Sequence, residues 1–233
     1  RGNFRNLSSI VSLSKLLRQS PADGILMDLG MSSHHIDEHS RGFSYMNDGP
    51  LDMRMQVKQG VHTAADLINS ISYEALADIL YELGGERKSF TIAREIIASR
   101  PLHTTAELRR IIDAVTPASG RISAAARCFQ ALRIAVNDEL GALDAALHAI
   151  TTDSAVLKPG GRFVALSYHS LEDRRVKQMI NNKLYRSDGL MAAAPVWKSV
   201  HKKPQHAHYV ERRDNPRARS AVLRIAEKLI YED

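Results

Sequence analysis

The 233-residue chain is 44% hydrophobic and 25% charged, which fits one large domain, or a domain carrying an insertion, with a substantial core to bury. No apolar run reaches the roughly 20 residues a membrane-spanning helix requires, no signal-peptide pattern opens the chain, and no membrane partner is expected. Cys128 is the only cysteine, so an intramolecular disulfide and a cysteine zinc site are both excluded, and a reducing compartment is permitted.

Spacing of Leu7, Ile10, Val11, Leu16 and Leu17 predicts a helix from Phe4 to about Gln19, stopped by Pro21. Gly24 to Asp28 follows as an apolar strand whose end delivers Asp28, Gly30, Ser32 and Ser33, the pattern of a buried parallel strand presenting polar groups at the carboxyl edge of a sheet. The segment from Arg41 to Met55, with Gly42, Gly49 and Pro50 among charged residues, is too polar for core and predicts a shaped loop beside a site. From about Thr63 to Val115 the pattern becomes short helices. Leu76, Ile79, Leu80 and Leu83 keep helical spacing up to Gly84, and Thr104 with Glu107 forms a capping box ahead of Leu108, Ile111, Ile112 and Val115.

Phe129, Leu132, Val136, Leu140, Leu143 and Leu147 predict one long helix from about Ala125 to Ile150. Lys158-Pro-Gly-Gly161 is a turn feeding a second apolar strand, Arg162 to Leu166, which ends in Ser167, Tyr168, His169, Ser170, Glu172 and Asp173. Ser220 to Ala226 is a last strand. The expected architecture is α/β, a Rossmann-like sheet whose N-terminal strands lie outside this chain, with an inserted helical subdomain. Its boundaries are 1–35 for the first part of the core, 36–124 for the insertion, and 125–233 for the second part.

Net charge is +6 and the pI near 9.5, with the excess unevenly placed. Between Lys198 and Arg219, seven cationic residues (Lys198, Lys202, Lys203, Arg212, Arg213, Arg217 and Arg219) stand against Glu211 and Asp214. That surplus of five favours a phosphate backbone, with Trp197 and Tyr209 interleaved as in an RNA track; a solvated basic face is the plainer alternative.

Five segments carry a resemblance to a known family: D-L-G-M-S-S at 28–33, R-G-F-S-Y-M-N-D-G-P-L-D-M-R-M at 41–55, F-Q-A-L-R-I-A-V-N-D-E-L at 129–140, L-K-P-G-G-R-F-V-A-L-S-Y-H-S-L-E-D-R at 157–174 and N-P-R-A-R-S-A-V-L-R at 215–224. In this order they resemble the S-adenosylmethionine-dependent methyltransferases that modify N4 of a cytosine in small-subunit (16S-type) ribosomal RNA. The resemblance implies a class I methyltransferase core with a substrate-recognising helical insertion, and a glycine-rich first strand upstream of Arg1. It places Phe4, Asp28, Gly30 and His35 at the cofactor, S-adenosylmethionine. It implies as partner the small-subunit ribosomal RNA, or an assembly intermediate of that subunit. Four positions depart from the family pattern: His34 for a usual proline, His35 for glutamine, Gly85 for a glutamate, and Ser123 for a histidine. These departures tilt the expected compartment from bacterial cytoplasm towards a mitochondrion or plastid.

Methyl transfer to an exocyclic amine is an in-line displacement, so the base must be held about 3–3.5 Å from the methyl carbon, and acceptors for the amine hydrogens assist. Asp28, Ser32, Ser33, His169 and Glu172 are the candidate catalytic residues. Arg54, beside Asp52, is a candidate for closing over substrate or for a simple loop clamp, and Trp197, Lys202, Lys203, Arg212, Arg213, Arg217 and Arg219 are candidates for holding RNA. The target cytosine must be unpaired or flipped, with Tyr45, Tyr168 or Trp197 available to stack on it or simply packed in the core. Asn137, Asp138 and Glu139 are candidates too, or an ordinary solvated helix face. No second histidine sits at ligand spacing from His169, and no metal is expected. The alternative function is a non-catalytic RNA-binding assembly factor with a degenerate methyl-donor site.

Overall fold

The computed structural model describes residues 2–14, 19–32, 38–57, 60–116, 122–181 and 196–230. A 3-10 turn, Phe4–Asn6, leads into α1 (Leu7–Leu13), then β1 (Ala22–Asp28), α2 (Ala64–Ser70), α3 (Tyr73–Glu82), α4 (Ser89–Ala98), α5 (Thr105–Val115), α6 (Ala124–Asn137) and α7 (Glu139–Thr152). After these come β2 (Leu157–Ser167), α8 (Ser170–Ile180), β3 (Trp197–Ser199), β4 (Gln205–His206), α9 (Tyr209–Asp214), a 3-10 turn Pro216–Ser220 and β5 (Val222–Lys228). They form two units: 1–30 with 140–233, and 31–139.

In the first unit the strand order is β1-β2-β5-β3, with β4 paired to β5. β1 and β2 run parallel with Asp28 opposite Leu166, and β5 runs antiparallel to β2 with Val222 opposite Ser167. The sheet is therefore mixed, with its parallel pair at the β1 edge. Pro159, Gly160 and Gly161 do not precede the second strand as a turn. They lie inside it, where the pairing skips from Ala22–Leu157 to Gly24–Arg162 and Gly160 takes φ +75°.

Alternation along β2 sends Phe163 and Ala165 into the core, against Leu143, Leu147 and Ile150 of α7 and Val176 and Met179 of α8. Each of these side chains larger than alanine contributes about 1.5–3 kcal/mol on full burial. Trp197 joins this core at 3% exposure, its ring 6.0 Å from that of Phe163 and its Nε1 donating to Thr151 Oγ1 at 3.2 Å. Lys228 is buried as well. Its ammonium donates to the carbonyls of Ile150 and Leu157, and burial lowers its pKa.

The second unit is helical, and the apolar spacing read from the sequence supplies its core: Ile68, Leu76, Leu80, Ile92, Ile96, Leu108, Ile112, Phe129 and Leu132 are all buried. Two capping boxes start helices here. Thr63 and Asp66 cap α2, and Thr104 and Glu107 cap α5, where Thr104 Oγ1 accepts from Glu107 N and Glu107 accepts from Thr104 N. Glu86 is 2% exposed and accepts from Arg127 Nη2 at 2.6 Å and Nε at 3.0 Å. Cys128 is fully buried, and that burial pushes its thiol pKa well above the ordinary value.

One expected helix is two. Asp138 adopts the left-handed conformation (φ +46°), ending α6 before α7 begins. The Asn137 side chain accepts from Met55 N at 2.7 Å and donates to Met53 O and Arg133 O, so it ties the helix end to the 53–55 loop instead of facing solvent. Glu139 pairs bidentately with Arg133. With its apolar face in this core, α6 belongs to the helical unit.

The 41–55 segment is also framework. Leu51 and Met53 are buried in the helical core, although the segment as a whole looked too polar for one. At Gly42 (φ +67°) a Cβ would lie 2.0 Å from Pro50 O, so only glycine lets the two passes of the loop meet.

Candidate functional site

Parallel pairing of β1 and β2 brings two chain turns together at the carboxyl edge of the sheet. Asp28 ends β1 with an exposed carboxylate, and Leu29 N continues the ladder to Leu166 O at 2.9 Å. Two residues past Leu166, the Tyr168 hydroxyl donates to Asp28 Oδ1 at 2.8 Å. Burial, then the bond to Asp28 and the nearby negative charge, push the Tyr168 pKa up to about 12. Gly30 (φ +91°) lets the chain pass the ring, since a Cβ there would meet Tyr168 Cδ2 at 3.1 Å.

Beneath this pair lies the start of α8. Glu172 is 4% exposed and its Oε2 accepts from Tyr168 N at 2.8 Å and His169 N at 3.3 Å. It fixes the turn that carries both residues. His169 Nε2 lies 3.2 Å from Glu172 Oε1, yet neither ring nitrogen makes a hydrogen bond among the described residues, and both are shut off from solvent. Asp173 anchors the same turn to β5 through a two-bond pair with Arg224, at 2.6 and 2.8 Å. Ser167 is fully buried, its hydroxyl turned to Val222 O, and takes no part.

Of the residues expected at the site, Asp28, Gly30, His169 and Glu172 gather at this edge. Glu172 does so as a buried cap rather than as an acid facing a ligand. Phe4, in the first turn of the chain, is 40% exposed. Ser32 is exposed in the helical unit, while Ser33 and His35, with His34, lie outside the described residues. Tyr168 was expected as a stacking or a packing ring; its bond to Asp28 depends on strand register, which a sequence read one strand at a time does not carry.

Two expected substrate contacts are corrected. Trp197 cannot stack on a base, because its ring is enclosed in the sheet core. Arg54 is not available to close over a ligand. Its Nε and Nη2 bind the two oxygens of Asp52 at 2.8 and 2.7 Å, Nη1 donates to Val61 O, and the pairing holds the Asp52 carboxyl below its usual pKa. Tyr45 is likewise a packing ring, edge-on to Phe129 and under the Arg109 guanidinium.

Lys202, Lys203, Arg212, Arg213, Arg217 and Arg219 are all exposed. Arg213 pairs with Asp214, and Arg219 Nε reaches Arg212 O at 3.4 Å. Tyr209, 63% exposed on α9 with its ring 4.9 Å from that of His208, is the aromatic that this basic segment presents.

No described helix is long and apolar enough to cross a membrane. Residues 1–229 match the model of the MraW methylase family. Among curated relatives, a protein of Acidobacterium capsulatum is 46% identical over 91% of this chain and 68% of its own length. One of Granulibacter bethesdensis is 45% identical over 100% of this chain and 71% of its own length, and one of Gluconobacter oxydans is 46% identical over 96% and 70%. All three bear the name ribosomal RNA small subunit methyltransferase H. With a match across nearly its whole length and a strand-edge site of the kind just described, the chain belongs to the MraW methylase family.

Proposed function

We propose that the chain transfers the methyl group of S-adenosylmethionine to N4 of a cytosine in small-subunit ribosomal RNA. The observation that carries the reading is the exposed Asp28 carboxylate at the end of a parallel strand, held on one oxygen by Tyr168 and with no hydrogen bond to the other among the described residues. An anchored carboxylate beside a glycine at φ +91° fits a cationic, amine-bearing ligand that must approach the backbone closely. Phe4, Asp28 and Gly30 are the described residues that would hold the cofactor, which supplies an electrophilic methyl group when bound. Asp28 accepts from amine hydrogens and fixes orientation, which is most of what an in-line displacement demands.

His169 is the acceptor proposed for the N4 proton, since its ring nitrogens are shielded from water and Nε2 stands 3.2 Å from the Glu172 carboxylate, which would stabilise the protonated ring. Glu172 positions it through the turn. The exposed lysines and arginines between Lys202 and Arg219 track the RNA backbone. The substrate is the small-subunit RNA or a particle containing it, and the compartment is the bacterial cytoplasm, in keeping with the three bacterial relatives named above; these lend no support to an organelle.

In the test, the full-length protein is incubated with S-adenosylmethionine and immature small subunits, and the digested RNA is analysed by mass spectrometry. One N4-methylcytidine per particle is expected, falling at least tenfold for Asp28→Ala with RNA binding retained. RNA binding without any methylated base would favour the non-catalytic assembly factor.

A further inference from the structure

We infer that the helical unit carries its own pocket for the sugar-phosphate backbone of RNA, centred on Arg87 and Lys88 and distinct from the C-terminal basic segment. The inference rests on the RNA reading above and adds a second contact to it. A cavity of about 670 Å³ opens among the ends of α3, α4, α5 and α6, with Gly85, Arg87, Lys88, Arg109, Ser123 and Arg127 in its wall.

The wall holds four cations and two carboxylates, and the carboxylates are already neutralised. Glu86 is taken by Arg127, and Asp113 by Arg109 at 3.1 Å. Arg127 Nη1 donates to Ile122 O and Arg109 Nη1 to Tyr45 O, so both guanidiniums are braced and serve as scaffold. Two charges remain. Arg87 is exposed and has no partner among the described residues, and the Lys88 ammonium meets only the neutral carbonyl of Val115 at 3.1 Å.

Backbone electrostatics act in the same direction. Lys88 and Ser123 are the N-caps of α4 (10 residues) and α6 (14 residues), so two helix starts, each carrying partial positive charge, reach one wall. Gly85 (φ +65°) has nothing within 4 Å of where its Cβ would stand, which leaves the mouth open. Among the described residues no aromatic side chain lines the cavity, so they offer no platform for a base, and the chemistry they fit is a phosphodiester.

The test uses the full-length protein and a fragment of small-subunit ribosomal RNA spanning the target cytosine, titrated by fluorescence anisotropy over a range of salt. The double variant Arg87→Gln with Lys88→Gln is expected to bind about tenfold more weakly near 0.1 M salt, with a log–log salt slope smaller by about 1 to 1.5, the value for two lost single-strand phosphate contacts. Gly85→Asp, which places a carboxylate at the mouth in a conformation aspartate tolerates, should act in the same direction. Calorimetric affinity for S-adenosylmethionine should stay unchanged in both. Unaltered RNA affinity and slope in both variants would overturn the pocket while leaving the RNA reading intact, whereas a wild-type protein that binds no RNA would overturn both. Saturable binding of inorganic phosphate that the variants abolish, with RNA affinity unmoved, would make this a small-anion site and also overturn the assignment.

Discussion

Tyr168 shows how much of the site depends on a single hydroxyl. The bond to Asp28 Oδ1 orients the carboxylate, and a neutral donor on an ionised acceptor is worth roughly 1.5–3 kcal/mol when shielded and less at an exposed edge such as this one. Tyr168→Phe is therefore expected to lower the methylation rate between a few-fold and about tenfold without altering the fold. Because the folded-state pKa lies above the ordinary value near 10, the fold favours the protonated phenol. The stabilisation is complete below pH 10 and is lost as pH rises towards 12. Ultraviolet titration should show one late-ionising tyrosine that the variant lacks; a variant with an unchanged titration and full activity would sever Tyr168 from the site.

At the scale of elements, sequence and structure agree where local signals are strong. The Thr104–Glu107 capping box was legible because both partners lie within one turn, and the structure closes it from both sides. The break at Asp138 was not legible. Apolar spacing continues from Val136 to Leu140 without a proline or glycine, and the interruption comes from a left-handed residue supported by Asn137 bonds to a loop 80 or more residues away in sequence. Likewise Pro-Gly-Gly reads as a turn, and only pairing with β1 shows the strand already running through it. Trp197 misled for a related reason, since its cationic neighbours are exposed while its own ring points into the core. Chemical denaturation should separate the two kinds of support: Thr104→Ala should cost about 1 kcal/mol, the usual value of a cap. Asn137→Ala should cost about 2–3 kcal/mol, because three hydrogen bonds are lost together.

Over the whole molecule, each unit has its own buried apolar cluster, and each carries a basic feature. The exposed arginines at 212, 213, 217 and 219 sit in the unit that holds Asp28, on α9 and the 3-10 turn after it. Exchanging all four for glutamine should weaken RNA binding and reduce its salt slope by up to about 3, at roughly 0.7 for each single-strand phosphate contact. Filter-binding titrations at several salt concentrations measure this directly, and an unchanged slope would remove the segment from the interface. The charge surplus was visible in composition. The Arg87–Lys88 cavity was not, because its cations are interspersed with acids along the chain and emerge as a site only after Arg127 and Arg109 have claimed those acids.

The buried Cys128 has a practical consequence. It is the only sulfhydryl in the chain, fully enclosed, and held protonated by its apolar surroundings, so maleimides and other thiol reagents find no accessible sulfhydryl on the folded chain. The chain is thus silent towards thiol chemistry without any substitution, and a dye or spin label coupled to a cysteine introduced beside Tyr209 or Arg87 would report on that position alone.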